Sequence, residues 1–474
     1  MLVLYTWWEV CQEEYLMDFI HDIYNLFWGD LFTIPLPGGK TIGISLLVLI
    51  LIPSGIFFSV KTKFLPIRMF KEMVKIAVEK KEDSNEGAIT GVQALIVSTA
   101  TRVGMGNMVG VVAAVSAGGA GAIFWMWITA LMGASTAFVE ATLAQLYKQK
   151  DPLYGGYRGG PAYYIHQFFT KGKKRYSVIA ILFALSALLC WGGVSQVISF
   201  SVTSAFENAF GIKPIISAVI LVMIASIVVL RKDATVKVLD LIVPIMAIFY
   251  FMIAIITILM NLSLLPEVFV RIISEAFGIR QVVAGGFGAV LMNGVKRGLF
   301  SNEAGSGSAP CAAAAADVSH PAKAGLFQAF GVLIDTIIIC TCTAMIMLLA
   351  PESVTNGLEG MALLQAAMNH HFGYVGVVFT TITLWLFSFS TFIGILFYAR
   401  SNVAYLFNDN WLSQTIYKVF ALAMLFIGGI ASYEFVWELG DIGVALMTIF
   451  NILVILPMSK EAIQCLHGYE KGME

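Results

Sequence analysis

Residues 101–111 read TRVGMGNMVGV. The stretch lies inside a long apolar run, yet it holds an arginine, an asparagine and three glycines. Glycine costs a helix about 1 kcal/mol relative to alanine, and a polar or charged side chain in an apolar surround costs more. A break at membrane depth bares backbone N–H and C=O groups, which are tolerated only where they line a cavity or are buried in protein. Half-helix N-termini favour an anion such as a carboxylate. Freed carbonyls and the Asn107 amide oxygen suit a hard cation. Glycine permits φ > 0 and close approach of a ligand. One interrupted helix can therefore hold both ends of a zwitterion and a sodium ion. Two other readings compete with this one. The glycines could serve close helix–helix packing. Gly104-x-Gly106-x-x-x-Gly110 also looks like a dinucleotide loop, but that loop follows a strand and needs an acid about 20 positions on. Here another apolar helix follows, and the next acid is Glu140.

The elements that carry this stretch belong to a membrane protein. Of the 474 residues, 58% are hydrophobic and 12% charged, against about 25% charged in soluble domains; the mean hydropathy is +0.83. A net charge of −1 gives no basic face for nucleic acid. The six cysteines form no C-x-x-C pair, so neither a disulfide nor a zinc framework is expected. His370-His371 reads as a solvated loop feature with no third metal ligand in view. An intramembrane enzyme would have to use Cys340 or Cys342 with His320, which lacks an orienting third group. A channel would need a continuous polar lining across several spans. The first 35 residues lack a basic start and a clean apolar core, so they are not a signal peptide. The run WWEVCQEEYLMDFIHDIYNLFW alternates aromatic and acidic residues and reads as an amphipathic helix lying on the membrane.

Spans of roughly 20 apolar residues fall at about 42–60, 90–116, 120–146, 177–205, 214–230, 238–261, 281–300, 324–350, 373–399, 412–431 and 435–457. With the N-terminus outside, 24 basic residues lie in inner segments and 4 in outer ones. That bias puts the C-terminus in the cytoplasm. Setting the first span aside leaves ten, divisible as five plus five, and the first of each five is interrupted by glycine, at 103–107 and at AGGFG, 284–288. Because five is odd, the second set runs in the opposite sense, and paired interruptions of this kind point to a transporter binding site. The resulting division is an amphipathic segment 1–38, a peripheral span with a basic inner loop 39–88, repeats 89–261 and 262–457, and a cytoplasmic tail 458–474.

Three motifs carry a family resemblance. GMGNMVGVVAAVSAGGAGAIFWMWITALMG, KRGLFSNEAGSGSAP at 296–310 and GVLIDTIIICTCTA at 331–344 resemble the alanine/glycine:cation symporter family over about 40–457. The resemblance implies an all-α membrane fold, five-plus-five inverted repeats with broken first and sixth core helices, and sodium-coupled carriage of an amino acid. It implies that Gly104, Met105 and Gly106 lie in the broken first core helix at the substrate. By the more distant resemblance to the G-x-G-N break of neurotransmitter:sodium symporters, the N–H groups of Met105 and Gly106 would hold the substrate carboxylate, and carbonyls of Ala100 and Val103, with Asn107, would help hold sodium. Met105 stands where the family has threonine, so a side-chain hydroxyl is lost. In the sixth core helix Phe287 would lie beside substrate, or simply pack. In the third, Gln196 would reach substrate or bond a neighbouring helix. In the eighth, Ser390 and Thr391 would offer oxygens to sodium, with Thr391 also touching substrate, or would bond their own backbone. Ile395 replaces a tryptophan, which could enlarge the pocket toward a substrate such as glutamine.

Neither glycine interruption contains a carboxylate or histidine, so sodium is favoured over a proton as coupling ion, with no further cofactor. Arg102 needs a partner, for which Glu140, Asp240 and Asp335 are candidates; gating and anchoring both fit it. Asn302 and Glu303 would cap the following segment or brace an inner gate. The expectation is thus a multi-pass protein of a bacterial plasma membrane that takes up a small neutral amino acid (alanine, glycine or glutamine) with sodium, the alternatives being a proton-coupled carrier or an ion channel.

Overall fold

The computed structural model describes residues 17–35, 41–78, 89–90, 102–171, 173, 176–230, 235–279 and 286–473. A helix lies in each of the eleven apolar segments: Leu46–Lys61, Val111–Gly118, Gly121–Leu146, Val178–Phe210, Pro214–Val229, Thr235–Met260, Gly286–Asn302, Pro321–Leu348, Gly360–Phe407, Trp411–Gly428 and Tyr433–Lys471. Six of these are by themselves long and apolar enough to cross a membrane. A seventh span would be the pair Ala247–Met260 and Leu262–Ala276, bent by 76°. Their outward faces carry exposed large apolar side chains, such as Leu189, Ile227 and Leu453, each about 60% exposed. A surface like this suits acyl chains rather than water.

Local sequence explains the helix ends. Ser177 and Ser432 accept the Ala180 and Phe435 N–H groups at the starts of their helices, as N-caps do. Pro214, Pro310 and Pro321 occupy first-turn positions, where a missing N–H costs nothing. Gly211 closes Val178–Phe210 in the left-handed region.

Several expectations are corrected. Residues 104–107 are not unwound: Arg102–Gly110 is a π-helical stretch running straight into Val111–Gly118. A second π stretch, Leu333–Cys340, interrupts Pro321–Leu348. Of the interruption expected at 284–288, residues 284–285 lie outside the described residues, and Gly286 (φ +64) opens the Gly286–Asn302 helix. A further non-helical stretch follows that helix at 303–309, with Glu303, Gly305 and Gly307 all at positive φ, before Pro310–Ala315 resumes. Lys296 and Arg297, two of the 24 basic residues assigned to inner segments, sit buried inside Gly286–Asn302. His370 and His371 belong to the Gly360–Phe407 helix, ahead of its kink at Gly373, and His371 bonds the Ile346 carbonyl at 3.0 Å. The N-terminal segment is helical at 17–28 and packs on protein, burying Phe27 and Trp28. It leads into an antiparallel hairpin of Asp30–Pro35 with Thr41–Ser45.

Candidate functional site

The π stretch at 102–110 is held from two sides. Its Gly104 N–H donates to the Asn107 side-chain oxygen (3.1 Å), and its Met105 N–H donates to Thr391 Oγ1 (3.1 Å). Thr391 in turn donates to the Phe387 carbonyl (2.9 Å), as Ser390 does (2.8 Å). Gly104 has to be glycine for this contact, because a Cβ there would lie 2.0 Å from Thr391 Oγ1. Gly106 lets the stretch lie against Gly286–Asn302, where a Cβ would come within 3.3 Å of Ser301 Cα. Gly104→Ala should therefore lower uptake at least tenfold, since overpacking of this kind costs about 1–3 kcal/mol. Adding Thr391→Ala, which makes room, should bring uptake back to the level of Thr391→Ala alone. Wild-type uptake by Gly104→Ala would show that the contact is dispensable.

The freed backbone at 303–309 is also accounted for. The buried Glu140 carboxylate accepts the Gly305 N–H (3.1 Å) and an Asn451 N–H, and Asn451 donates to the Gly305 carbonyl (2.9 Å). Tyr164 donates to the Asn451 oxygen (2.5 Å). Both backbone groups of Gly305 thus find side-chain partners, as a helix interruption away from water requires. Asn302 accepts the Ala304 N–H (3.0 Å), an Asx turn at the start of the non-helical stretch.

Between the two stretches lies a small cavity. Met105 and Gly106 form one wall, Glu303, Ser306 and Ser308 a second, and Thr391 and Ile395 a third. Trp191, Val194, Phe300 and Val444 supply apolar surface. The cavity thus joins four residues singled out in the sequence with Glu303, read there as a cap or gate brace, and with Ser306 and Ser308, which sequence reasoning did not single out. Their signal was available: a Gly-x-Gly with three serines just before a helix-starting proline. Gln196 is not on the cavity wall; its amide lies 3.2 Å from Met424 Sδ, and the helix Trp411–Gly428 packs against it at Gly428. Phe287 stacks edge-on with Trp125 (6.0 Å) and belongs to a separate cluster with Leu291 and Val295. Ala100 lies outside the described residues.

Behind the cavity wall the two π stretches meet. Asn107 Nδ2 donates to Asp335 Oδ1 (2.7 Å), and Ser301 and Thr336 donate to Asp335 Oδ2 (2.8 and 2.7 Å). Cys340 Sγ lies 3.2 Å from Asn107 Nδ2 and 3.1 Å from Ser301 Oγ. Asp335, Asn107, Ser301 and Thr336 are all 0% exposed. Asp335 does not bond Arg102 among the described residues; Arg102 gives its Nη1 to Gln328 (3.0 Å), and its Nε and Nη2 have no hydrogen-bond partner there. The result is a carboxylate held by three neutral donors. Such a group in a dry interior needs a counter-charge; the buried Arg102 guanidinium acts on it electrostatically without bonding it.

A family model described as the sodium:alanine symporter family matches residues 38–474. The chain is 42% identical over 428 residues to a probable sodium/glutamine symporter, GlnT, of Bacillus subtilis, covering 90% of this chain and 88% of that one. It is 40% identical over 425 residues to the amino-acid carrier protein AlsT of the same organism, covering 89% of each. Among solved structures, MhsT in complex with L-phenylalanine superposes with a TM-score of 0.55 over 80% of this chain and 89% of that one. The identity there is 12%, so the likeness concerns the fold.

Proposed function

Because the chain belongs to the sodium:alanine symporter family, we propose that it is a secondary transporter, and not an enzyme, which takes up a small neutral amino acid with sodium. The observation that carries this reading is the cavity in which Met105, Gly106, Thr391 and Ile395 face Glu303 across two stretches of irregular backbone. A zwitterion fits such a place. Its carboxylate is directed to the Met105–Gly106 face of the π stretch, and its ammonium to the Glu303 carboxylate. The side chain lies among Trp191, Phe300 and Ile395. Gln196 and Phe287, which line other contacts in this conformation, would reach substrate only in another state of the cycle.

The ion settles, on this reading, at Asp335 with Ser301, Thr336 and Asn107. Hydroxyls that now donate to the carboxylate can turn their lone pairs to a cation by rotating about C–O. The carbonyls of Ala100 and Val103, with Ser390 and Thr391, form a second oxygen set for sodium. An ion at Asn107 would order the π stretch that forms the substrate wall, so each ligand raises the affinity of the other by the same factor. The fold reading that goes with this is eleven spans, the last ten as inverted five-helix repeats, with the N-terminus outside and the C-terminus cytoplasmic. The helix found in each apolar segment supports it.

The test is uptake of labelled alanine and of labelled glutamine into liposomes, with and without an inward sodium gradient. Sodium-driven uptake of either one is expected. Uptake driven equally well by a proton gradient without sodium would overturn the ion assignment. The 42% identity to a relative named for glutamine and the cavity position of Ile395 favour a longer substrate. Ile395→Trp should then cut glutamine uptake about tenfold while sparing alanine, since the added ring fills space only the longer side chain needs. Equal losses for both substrates would remove Ile395 from specificity.

A further inference from the structure

The helix at 17–28 lies ahead of the region matched by the family model, which begins at residue 38. It touches two helices that wall the cavity. On Gly286–Asn302, the buried Lys296 Nζ donates to Tyr24 Oη (2.6 Å) and lies 5.9 Å from the Trp28 ring centroid. On Tyr433–Lys471, the Asp441 carbonyl accepts the Trp28 indole N–H (3.1 Å), and Glu438 pairs with His21 (2.7 Å). The chain then continues into the Asp30–Pro35 and Thr41–Ser45 hairpin, and Ile44 of its second strand packs with Leu291 and Val295 of Gly286–Asn302. The segment is therefore fixed to one helix by a hairpin and hooked to the other by two side chains.

These contacts fall one turn from the cavity. Lys296 and Arg297 precede Phe300 by one helical turn, and Asp441 precedes Val444 by one turn; Phe300 and Val444 both line the cavity. The same two helices are joined directly by the buried Arg297–Asp441 pair at 2.6 Å. A carrier has to open its central site to each side in turn by moving one set of helices against the other. Parting Gly286–Asn302 from Tyr433–Lys471 would open the cavity at this end, and it cannot happen while 17–28 holds both.

We propose that the helix at 17–28 is a built-in clasp over one mouth of the cavity, which stays with Gly286–Asn302 and releases Tyr433–Lys471 once in each transport cycle. His21 is the contact that lets go first, because its side chain is 57% exposed whereas Trp28 is 1% exposed. The proposal rests on the reading of the Met105–Thr391 cavity as the substrate site.

The test is to tie the clasp shut. In the double variant His21→Cys/Glu438→Cys, the two thiols are bridged by a reversible bis-methanethiosulfonate reagent, with each single variant treated alike. The untied double variant should take up amino acid within about twofold of wild type. The tied protein should lose at least tenfold and recover on addition of reductant, which also shows that tying did not unfold it. Tied protein that transports within twofold of untied protein would make 17–28 a static brace and overturn the clasp. A missing uptake signal in wild-type and untied protein alike would count against the transport reading, and the clasp would fall with it.

Discussion

Asp335→Asn is expected to abolish the stimulation of uptake by sodium while leaving a folded protein. The carboxylate is 0% exposed and meets only neutral donors among its bonded neighbours. A monovalent cation about 4 Å from a single charge gains roughly 4 kcal/mol at an effective dielectric of 20, which is about a thousandfold in affinity. The amide of asparagine has the same shape and no charge, so that attraction goes. The local cost is smaller. An amide N–H now faces Ser301 or Thr336, whose hydroxyls can rotate to accept it, so at most one donor is left unmet, at about 1–3 kcal/mol. Asp335→Ala should be worse for the fold, since it strips Asn107, Ser301 and Thr336 of their acceptor together. The measurement is the sodium concentration giving half-maximal uptake, beside thermal melts of the same preparations. An unchanged sodium curve in Asp335→Asn would move the ion to the oxygens around Thr391 and leave Asp335 a structural group.

That aspartate also shows where reading along the chain stops. The interruption at TRVGMGN was legible because its penalty is local: three glycines, an amide and a charge stand together in an apolar run. The apolar segments were legible because membrane thickness sets their length. Asp335 stands 228 residues from Asn107, and its meeting with Asn107 depends on two π stretches whose extra residue per turn hydropathy does not encode. The stretch 303–309 was missed for a different reason. Glycines at 284–288 drew attention to the start of the segment, and Lys296 and Arg297 were counted with the inner segments. Packing against Asp441 and Tyr24 keeps both cations inside a helix, and the non-helical backbone follows at 303–309. Gln196 illustrates helix phase. Trp191 and Val194 share the cavity face, and Gln196, two residues on from Val194, turns some 200° away toward Met424.

The largest loss of stability should follow Asp441→Ala. Asp441 is 2% exposed and faces Arg297 at 2.6 Å and Lys296 at 3.5 Å, themselves 4% and 6% exposed. One carboxylate thus serves two buried cations. Breaking a buried pair by removing one partner costs about 3–5 kcal/mol, because the other charge is stranded; here two are stranded. Arg297 cannot shed its proton. It keeps its contacts with the Trp437 and Phe300 rings, whose centroids lie 4.0 and 5.7 Å away. Lys296→Met should behave oppositely. It removes the surplus cation, keeps the Arg297–Asp441 pair, and leaves an apolar stem beside Tyr24 and Trp28, so melting should stay near wild type or rise. Arg297→Met should fall between the two, since Lys296 remains to face Asp441. The double variant Asp441→Ala/Lys296→Met should recover part of the single-variant loss, because neighbours that share a partner are not additive. Melting temperatures in detergent, with yield after size exclusion, test the order. If Lys296→Met proved as damaging as Asp441→Ala, the lysine would be no surplus charge, and its bond to Tyr24 would be a main support of this end of the bundle.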